Sequence, residues 1–139
     1  MKKQIEMTET EFMEKATELI KQIVNAIADK KYTALASLVK IDLDWSSWLD
    51  LEETPESACL GFGQWLEEQL AMWEEDEQRS FVVDHFDDSC LEEIKLWADN
   101  TSSVTYFPTN SGERLDFVFE IDLKIDQNNE IIAALDVNA

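Results

Sequence analysis

A strict alternation near the C-terminus constrains the fold more than any other feature of this sequence. From Leu115 to Asp126, apolar side chains occupy every second position, which is typical of a β-strand with one buried and one exposed face. Residues 127–129, Gln-Asn-Asn, follow as a turn, because Asn tolerates the left-handed backbone of a tight reversal. Glu130 to Val137 then completes a long antiparallel hairpin. Its apolar face carries Ile131, Ala133, Leu135 and Val137.

The apolar face of such a sheet must be covered, and the N-terminal half supplies helices for this. Thr8 and Glu11 form a capping box ahead of apolar residues at helical spacing, which predicts a helix from Thr8 to Asp29. A second, shorter helix follows from Tyr32, and Thr54-Pro55-Glu56 opens a third that ends near Glu75. Helices first and strands afterwards predict an α+β fold, with N-terminal helices packed on a curved antiparallel meander sheet.

The segments between these elements are less regular. Ser80–Phe86 is predicted to be a strand, and residues 89–98 fit either a strand, which we favour, or one helical turn. A short strand, Val104–Phe107, ends at Pro108, and the sequence Asn-Ser-Gly at 110–112 makes the hairpin turn into the long strand. Asp42–Glu53 fits a strand or a turn, and the sequence leaves that choice open.

Length and composition indicate one domain, residues 1–139, with enough apolar residues (45%) to form a core. No apolar run approaches the ~20 residues of a membrane span, and residues 1–6 turn acidic and helical without a signal-peptide core. We therefore expect a cytoplasmic protein. Cys59 and Cys90 lie in no metal or redox motif, which favours two buried thiols while a disulfide stays allowed.

The net charge of −20 is unevenly distributed along the chain. Residues 1–40 hold seven lysines against six acidic residues, whereas residues 41–139 carry a balance of −21. Such an acidic surface repels phosphate backbones and therefore excludes a nucleic-acid binder. It indicates either a basic protein partner or simply high solubility.

A catalytic or metal site is not indicated by the sequence. His85 is the one histidine, and it follows Asp84 directly. Neighbours on a strand point to opposite faces, so Asp84 is not expected to pair with His85, whereas Asp87 could. No nucleophile and no metal-ligand spacing accompany this group. We expect a structural or surface His85, no catalytic residue, no metal and no cofactor.

The tryptophans divide into two groups. Trp65 and Trp73 share one face of the third helix and are expected in the core, whereas Trp45 and Trp48 lie in an acidic segment. Aromatic anchors inside a negatively charged rim suit a basic protein partner, although packing under the sheet is the competing interpretation. The predicted partner-binding residues are Asp42, Asp44, Trp45, Trp48, Asp50, Glu52, Glu53, Glu74, Glu75, Asp76 and Glu77.

The long amphipathic first helix, the short second helix from Lys31-Tyr32 and the closing strand pair from Phe117 to Ile132 together resemble the cystatin-like roll of the nuclear transport factor 2 superfamily. The resemblance covers most of the chain as a pattern without a diagnostic motif. It implies a curved sheet wrapped by helices, in a superfamily that contains cavity enzymes, ligand or protein binders, and small bacterial immunity proteins.

Together, these observations predict a non-enzymatic acidic protein that binds a basic protein, such as an immunity protein that neutralises a basic toxin. Two alternatives stay open. One is a small-molecule-binding or enzymatic domain with a cavity between the sheet and the helices, and the other is a structural domain whose acidity serves only solubility. The partner's identity and the oligomeric state are not given by the sequence.

Overall fold

In the computed structural model, which describes residues 7–138, helices cover one face of a four-stranded sheet, as the predicted α+β class requires. The α-helices are α1 (Glu9–Ala28) and α2 (Pro55–Glu77), and three 3₁₀ helices span Tyr32–Ser37, Leu43–Leu49 and Asp88–Cys90. The strands are β1 (Lys40–Ile41), β2 (Thr101–Tyr106), β3 (Thr109–Asn110), β4 (Glu113–Arg114), β5 (Val118–Ile125) and β6 (Ile131–Asn138). The prediction for residues 1–6 lies outside the described residues.

The two long helices form where their sequence signals predict them. The Thr8 hydroxyl accepts a hydrogen bond from the Glu11 amide at 3.1 Å, so the predicted cap of α1 is confirmed. The Thr54 hydroxyl caps α2 in the same way through the Ser57 amide, and Pro55 is its first residue. The predicted second helix is a 3₁₀ helix, which packs against both α1 and α2.

The central sheet has the strand order β1-β6-β5-β2. The β5–β6 hairpin is confirmed, with Ile121 opposite Leu135, and the turn places Asn129 at a φ of 61°. Most of the predicted apolar face is buried: Phe117, Phe119, Ile121, Leu123, Ile125, Ala133 and Leu135. Its end positions are only partly buried: Leu115, Ile131 and Val137. These side chains meet the apolar faces of α1 and α2 in one core cluster.

The sheet is mixed, so the prediction of an entirely antiparallel meander is wrong. β1 follows the first 3₁₀ helix and pairs in parallel with β6, with Lys40 opposite Ala134. Only two residues pair there, too few for the sequence to show a strand pattern. β1 covers part of the outer edge of β6.

Ser80–Phe86 is extended but is not a strand, which corrects the prediction. Phe81 and Val83 are buried as the alternation predicts. The backbone amides, however, donate to acceptors on three different elements: Phe81 to Glu74 Oε1 of α2, Val82 and Asp84 to Asn110 Oδ1 and the Thr109 carbonyl of β3, and Phe86 to Asn25 Oδ1 of α1. No strand ladder forms because side chains supply most of these acceptors.

The favoured strand at 89–98 is also wrong. The Asp87 carboxylate accepts from the Ser89 amide at 2.9 Å and closes a 3₁₀ turn, since a local side-chain acceptor competes with strand pairing. After that turn, Leu91 forms an isolated bridge with Tyr106, and the Trp97 amide donates to the Thr101 carbonyl. The segment therefore touches the edge of β2 at separate points without joining the sheet.

Two strand boundaries also differ from the prediction. The long strand was expected from Leu115, but β5 begins at Val118 because the 110–112 turn closes a separate small sheet of β3 and β4. The Leu115 amide then donates to the Pro108 carbonyl instead of to a neighbouring strand of the main sheet. β2 is longer than the predicted Val104–Phe107, since it begins at Thr101.

Candidate functional site

The acidic segment that the sequence left undefined is held tightly on α2. Residues 43–49 form a 3₁₀ helix, in which the Asp42 carboxylate caps the Asp44 amide and Asp50 ends the helix at a φ of 53°. Its backbone touches α2 at Gly61, where a Cβ atom would lie 1.8 Å from the Trp45 carbonyl oxygen. Gly61 is therefore what allows the segment to pack this closely.

Trp45 and Trp48 have different roles in this segment. Trp45 is half-buried, and its ring centroid lies 5.7 Å from those of Phe62 and Trp65. Trp48 lies outside it, 48% exposed, with its centroid 6.2 Å from that of Trp45. Its indole N–H donates to Glu68 Oε2 at 2.9 Å. Trp45 thus anchors the segment to the core and Trp48 is presented to solvent in a fixed orientation.

The residues on both sides of Trp48 in the sequence carry exposed acidic and apolar side chains. The five acids of this segment are all exposed: Asp42, Asp44, Asp50, Glu52 and Glu53. Large apolar side chains are also exposed here: Leu43, Leu49 and Leu51. Within residues 7–138, no lysine, arginine or histidine lies within salt-bridge distance of these five acids. We call residues 42–53 together with Glu68 and Met72 the Trp48 surface.

The predicted acids at the end of α2 lie on two sides of that helix. Residues four and seven apart share a helix face, so Glu75 continues the row of Glu68 and Met72 at the edge of the Trp48 surface. Asp76 follows Met72 by four residues and is exposed. Glu74 and Glu77 are engaged elsewhere, Glu74 with the Phe81 amide and Glu77 with Arg79.

His85 does not contact the carboxylates that flank it in sequence. Its Nε2 lies 2.7 Å from Asp29 Oδ1, just beyond α1, and its side chain is 65% exposed. Asp84 instead accepts from the Thr109 hydroxyl and from the amides of Ser111 and Gly112. The sequence had offered Asp87 as the partner, and only the tertiary fold brings Asp29 to His85. That His85 is dispensable for function stays a prediction.

The Asp84 hydrogen bonds have an electrostatic consequence. Partial burial favours the neutral carboxyl, but the donors from Gly112, Thr109 and Ser111 outweigh it and hold the pKa of Asp84 below its ordinary value of 3.8. The carboxylate therefore stays ionised and fastens residues 80–86 to the β3–β4 turn. These hydrogen bonds give the Asp84 carboxylate a structural role.

The two cysteines are free thiols. Cys59 is buried in α2, and burial, assisted by the nearby Glu56 carboxylate, raises its pKa to about 11, which makes it a poor nucleophile. Cys90 is half-buried, where the sequence had favoured a buried thiol. Among residues 7–138, no group of three or more histidine, cysteine and acidic side chains is arranged to hold a metal ion.

Aromatic rings fill the space between α2 and the sheet. Phe62 of α2 packs against Phe119 with ring centroids 6.3 Å apart, and Trp65 packs against Phe117 at 5.6 Å. Trp73 stacks on Phe117 at 5.9 Å. The expected core positions of Trp65 and Trp73 are thus confirmed, each half-buried. Two hollows lie on the outer face of the sheet and beside the end of α2, where Trp73 lines the second of them. One of about 380 Å³ lies on the outer sheet face beside Trp97, and one of about 170 Å³ beside Arg79.

No protein-family model, curated protein or solved structure matches this chain. Between residues 7 and 138, none of the helices is both long enough and apolar enough to pass through a bilayer.

Sequence analysis did not identify Glu68 and Met72. Glu68 holds the indole of Trp48, and Met72, 54% exposed, lies one turn further along α2. Their signal in the sequence was the four-residue spacing from Gln64 through Glu68 to Met72, which marks an exposed row on the helix. Only the packing of residues 43–49 on α2 brings Trp48 to that row.

Proposed function

We propose that this protein is a non-enzymatic binding protein whose Trp48 surface receives a basic patch of another protein. The observation that carries the proposal is the half-exposed Trp48, fixed by Glu68 and surrounded by exposed acids that lack cationic partners within the described residues. A rigid aromatic side chain within a charged rim is typical of the anchor of a protein interface. Its negative charge would steer a positively charged partner during encounter.

The concentration of charge supports binding over solubility alone. Like charges held close together destabilise the folded chain through repulsion, and solubility of a small domain requires a net charge of only about 2–8. The net charge of −20 exceeds that range. A basic partner would relieve the repulsion when it binds.

The finer parts of the proposal concern the partner and the fold family. We take the partner to be a basic toxin such as a nuclease, neutralised in the cytoplasm by an immunity-type protein with a cystatin-like roll. Support comes from the acidic surface and from helices that cover one face of the sheet. The packed rings between α2 and the sheet favour this proposal over a ligand cavity at that place.

The test is a comparison of matched charge variants against a captured partner. A basic protein retained from the source cell at low salt would be identified, purified and measured for binding kinetics. Glu52→Gln/Glu53→Gln removes two acids from the Trp48 surface, and Glu14→Gln/Glu18→Gln removes two exposed acids from α1. We expect the first pair to slow association more than the second, and Trp48→Ala to cost ~2 kcal/mol or more, mainly through faster dissociation.

Salt provides a second measurement in the same experiment. Exposed charges are screened beyond ~8 Å at ~0.15 M salt, so the association rate should fall steeply as salt rises to that level. Association that is independent of salt, equal effects of the two variant pairs, or a contact on the lysines of α1 would each contradict the proposal.

A further inference from the structure

The geometry around Glu68 points to a specific ligand group: we propose that the Trp48 surface binds a guanidinium group, the side chain of an arginine, which stacks on the exposed face of the Trp48 ring and donates to the Glu68 carboxylate at the edge of that ring. This inference rests on the proposed function, since it names the chemical group by which a basic partner would be anchored. It is separable from that function because a small arginine derivative can test it without any partner.

Glu68 has binding capacity left beyond its contact with Trp48. Oε2 accepts the indole N–H at 2.9 Å, and Oε1 accepts only a long 3.4 Å bond from the neutral amide of Gln64. Glu68 is exposed, and no cationic group among residues 7–138 lies within 4.0 Å of it. A carboxylate has about four lone-pair sites, so most of its capacity to accept hydrogen bonds is free.

The Trp48 ring supplies the second half of the site. The hydrogen bond to Glu68 and the contact with Trp45 fix the ring, whose exposed fraction is 48%. Trp is the aromatic side chain that attracts cations most strongly, within about 6 Å of the ring centroid. The ring and the carboxylate are therefore side by side and ordered before any ligand arrives, which reduces the entropy lost on binding.

A guanidinium matches this pair better than an ammonium does. It is planar, it stacks on aromatic rings, and its five N–H donors form a fork that fits a carboxylate. A lysine ammonium is a more strongly hydrated point charge. It has no plane that could stack on the Trp48 ring while its N–H groups donate to the Glu68 carboxylate. The charge of the surrounding surface, with Asp44 and Asp50 exposed in the same segment, has the sign that attracts either cation.

The test uses the indole N–H signal of Trp48 in a ¹⁵N correlation spectrum, assigned with Trp48→Phe. N-acetyl-arginine amide is titrated in parallel with N-acetyl-citrulline amide, which has the shape without the charge, and N-acetyl-lysine amide, which has the charge without the plane. We expect the arginine compound to move this signal saturably and to bind at least about fivefold more tightly than the neutral citrulline compound, as a cation–π contact of ~1 kcal/mol predicts. It should also bind more tightly than the lysine compound, which is more strongly hydrated and has no plane to stack on the ring.

Glu68→Gln keeps an oxygen acceptor for Trp48 while removing the charge, and Glu75→Gln removes the same charge about two turns further along the same row. The inference requires that Glu68→Gln weaken arginine binding about fivefold or more and that Glu75→Gln leave it nearly unchanged. Equal binding of the three compounds, or equal effects of the two variants, would overturn it. If arginine binds as expected but no basic protein does, the site stands and the proposed function fails. If a basic partner binds but the three compounds bind equally, the proposed function stands and the arginine site fails.

Discussion

At the scale of single residues, this structure depends on a few close contacts that no sequence pattern displays. The backbone of Trp45 packs directly against Gly61 of α2, and the ring of Tyr32 packs against Gly63. A Cβ atom added at Gly63 would lie 2.4 Å from that ring. The Asp84 carboxylate accepts hydrogen bonds from three donors of the β3–β4 hairpin. Each contact joins segments far apart in the chain, so one substitution affects two elements.

Gly61→Ala tests the closest of these contacts. Helix propensity alone would make Ala more favourable than Gly by ~1 kcal/mol. The added Cβ would meet backbone atoms at 1.8 and 2.6 Å, which cannot move away as a flexible side chain can. We expect a net loss of about 2 kcal/mol or more in the free energy of unfolding, measured with urea. Gln64→Ala, at an exposed position of α2, is the control, and a stabilised Gly61→Ala would refute the contact.

Asp84→Asn tests the carboxylate through its pH dependence. Because the folded pKa of Asp84 lies below 3.8, the unfolded chain binds more protons near that pH, and the carboxylate contributes stability above its unfolded pKa. This contribution is lost as the pH falls through the folded pKa. We expect the difference in unfolding free energy between the native protein and Asp84→Asn, ~1 kcal/mol, to be constant from pH 7 to about 5 and to shrink below about 4.

Urea titrations at several pH values measure this difference directly. Asp122→Asn, on the exposed outer face of β5, serves as the control and should show a smaller difference throughout. A difference for Asp84→Asn that grows as the pH falls would have the wrong sign for a stabilised carboxylate.

At the scale of elements, α2 and the β5–β6 hairpin together organise the chain. α2 carries residues 43–49 along one side and Tyr32–Ser37 along another, and its buried face packs on β5 through Phe62 and Phe119 at 6.3 Å. The Trp48 surface is therefore built on α2, a long element with strong local signals, which the hairpin holds in place through the core. The segment that forms its outer part is short and obtains its position from α2.

Phe119→Asp tests the packing of the hairpin on the helices. Phe119 is 0% exposed, and Asp there would bury a charge with no cationic partner on the apolar face, at a cost of several kcal/mol. Since domains of this size are stable by about 5–15 kcal/mol, we expect loss of the cooperative unfolding transition. Val118→Asp, on the outer face of the same strand, should remain folded. A folded Phe119→Asp, monitored by near-ultraviolet circular dichroism, would place this ring outside the core.

At the scale of the whole molecule, excess negative charge dominates. The described residues contain only a few ion pairs, among them Lys30 with Glu67 at 3.5 Å and Arg79 with Glu113 at 2.9 Å, and all are solvent-exposed or nearly so. Exposed pairs of this kind contribute about 0–1 kcal/mol each. Attraction between neighbours therefore does not balance the repulsion of a chain with net charge −20.

The melting temperature of the isolated protein should consequently rise with salt. Screening shortens the range of repulsion from ~30 Å at 0.01 M salt to ~8 Å at 0.15 M, and the folded state, which holds the charges closer, benefits most. We expect a rise of several degrees between 0.01 and 0.3 M sodium chloride, measured by calorimetry. Glu52→Gln/Glu53→Gln should reduce that rise, and a melting temperature that falls with salt would show that attractive pairs dominate.

The sequence by itself determined both long helices, the β5–β6 hairpin, their buried faces and the acidic character of residues 42–53. Those features follow from local rules: capping, helical or two-residue periodicity, and turn chemistry. Tertiary structure alone decided the parallel β1–β6 pairing, the unpaired course of residues 80–86, the contact of His85 with Asp29 and the meeting of Trp48 with Glu68. These depend on contacts between residues far apart in the chain. A contact across 20 residues or more leaves no local period. A side-chain acceptor from a distant element, such as Asn110 of β3 for the Val82 amide, can replace a strand partner without changing the alternation of the side chains.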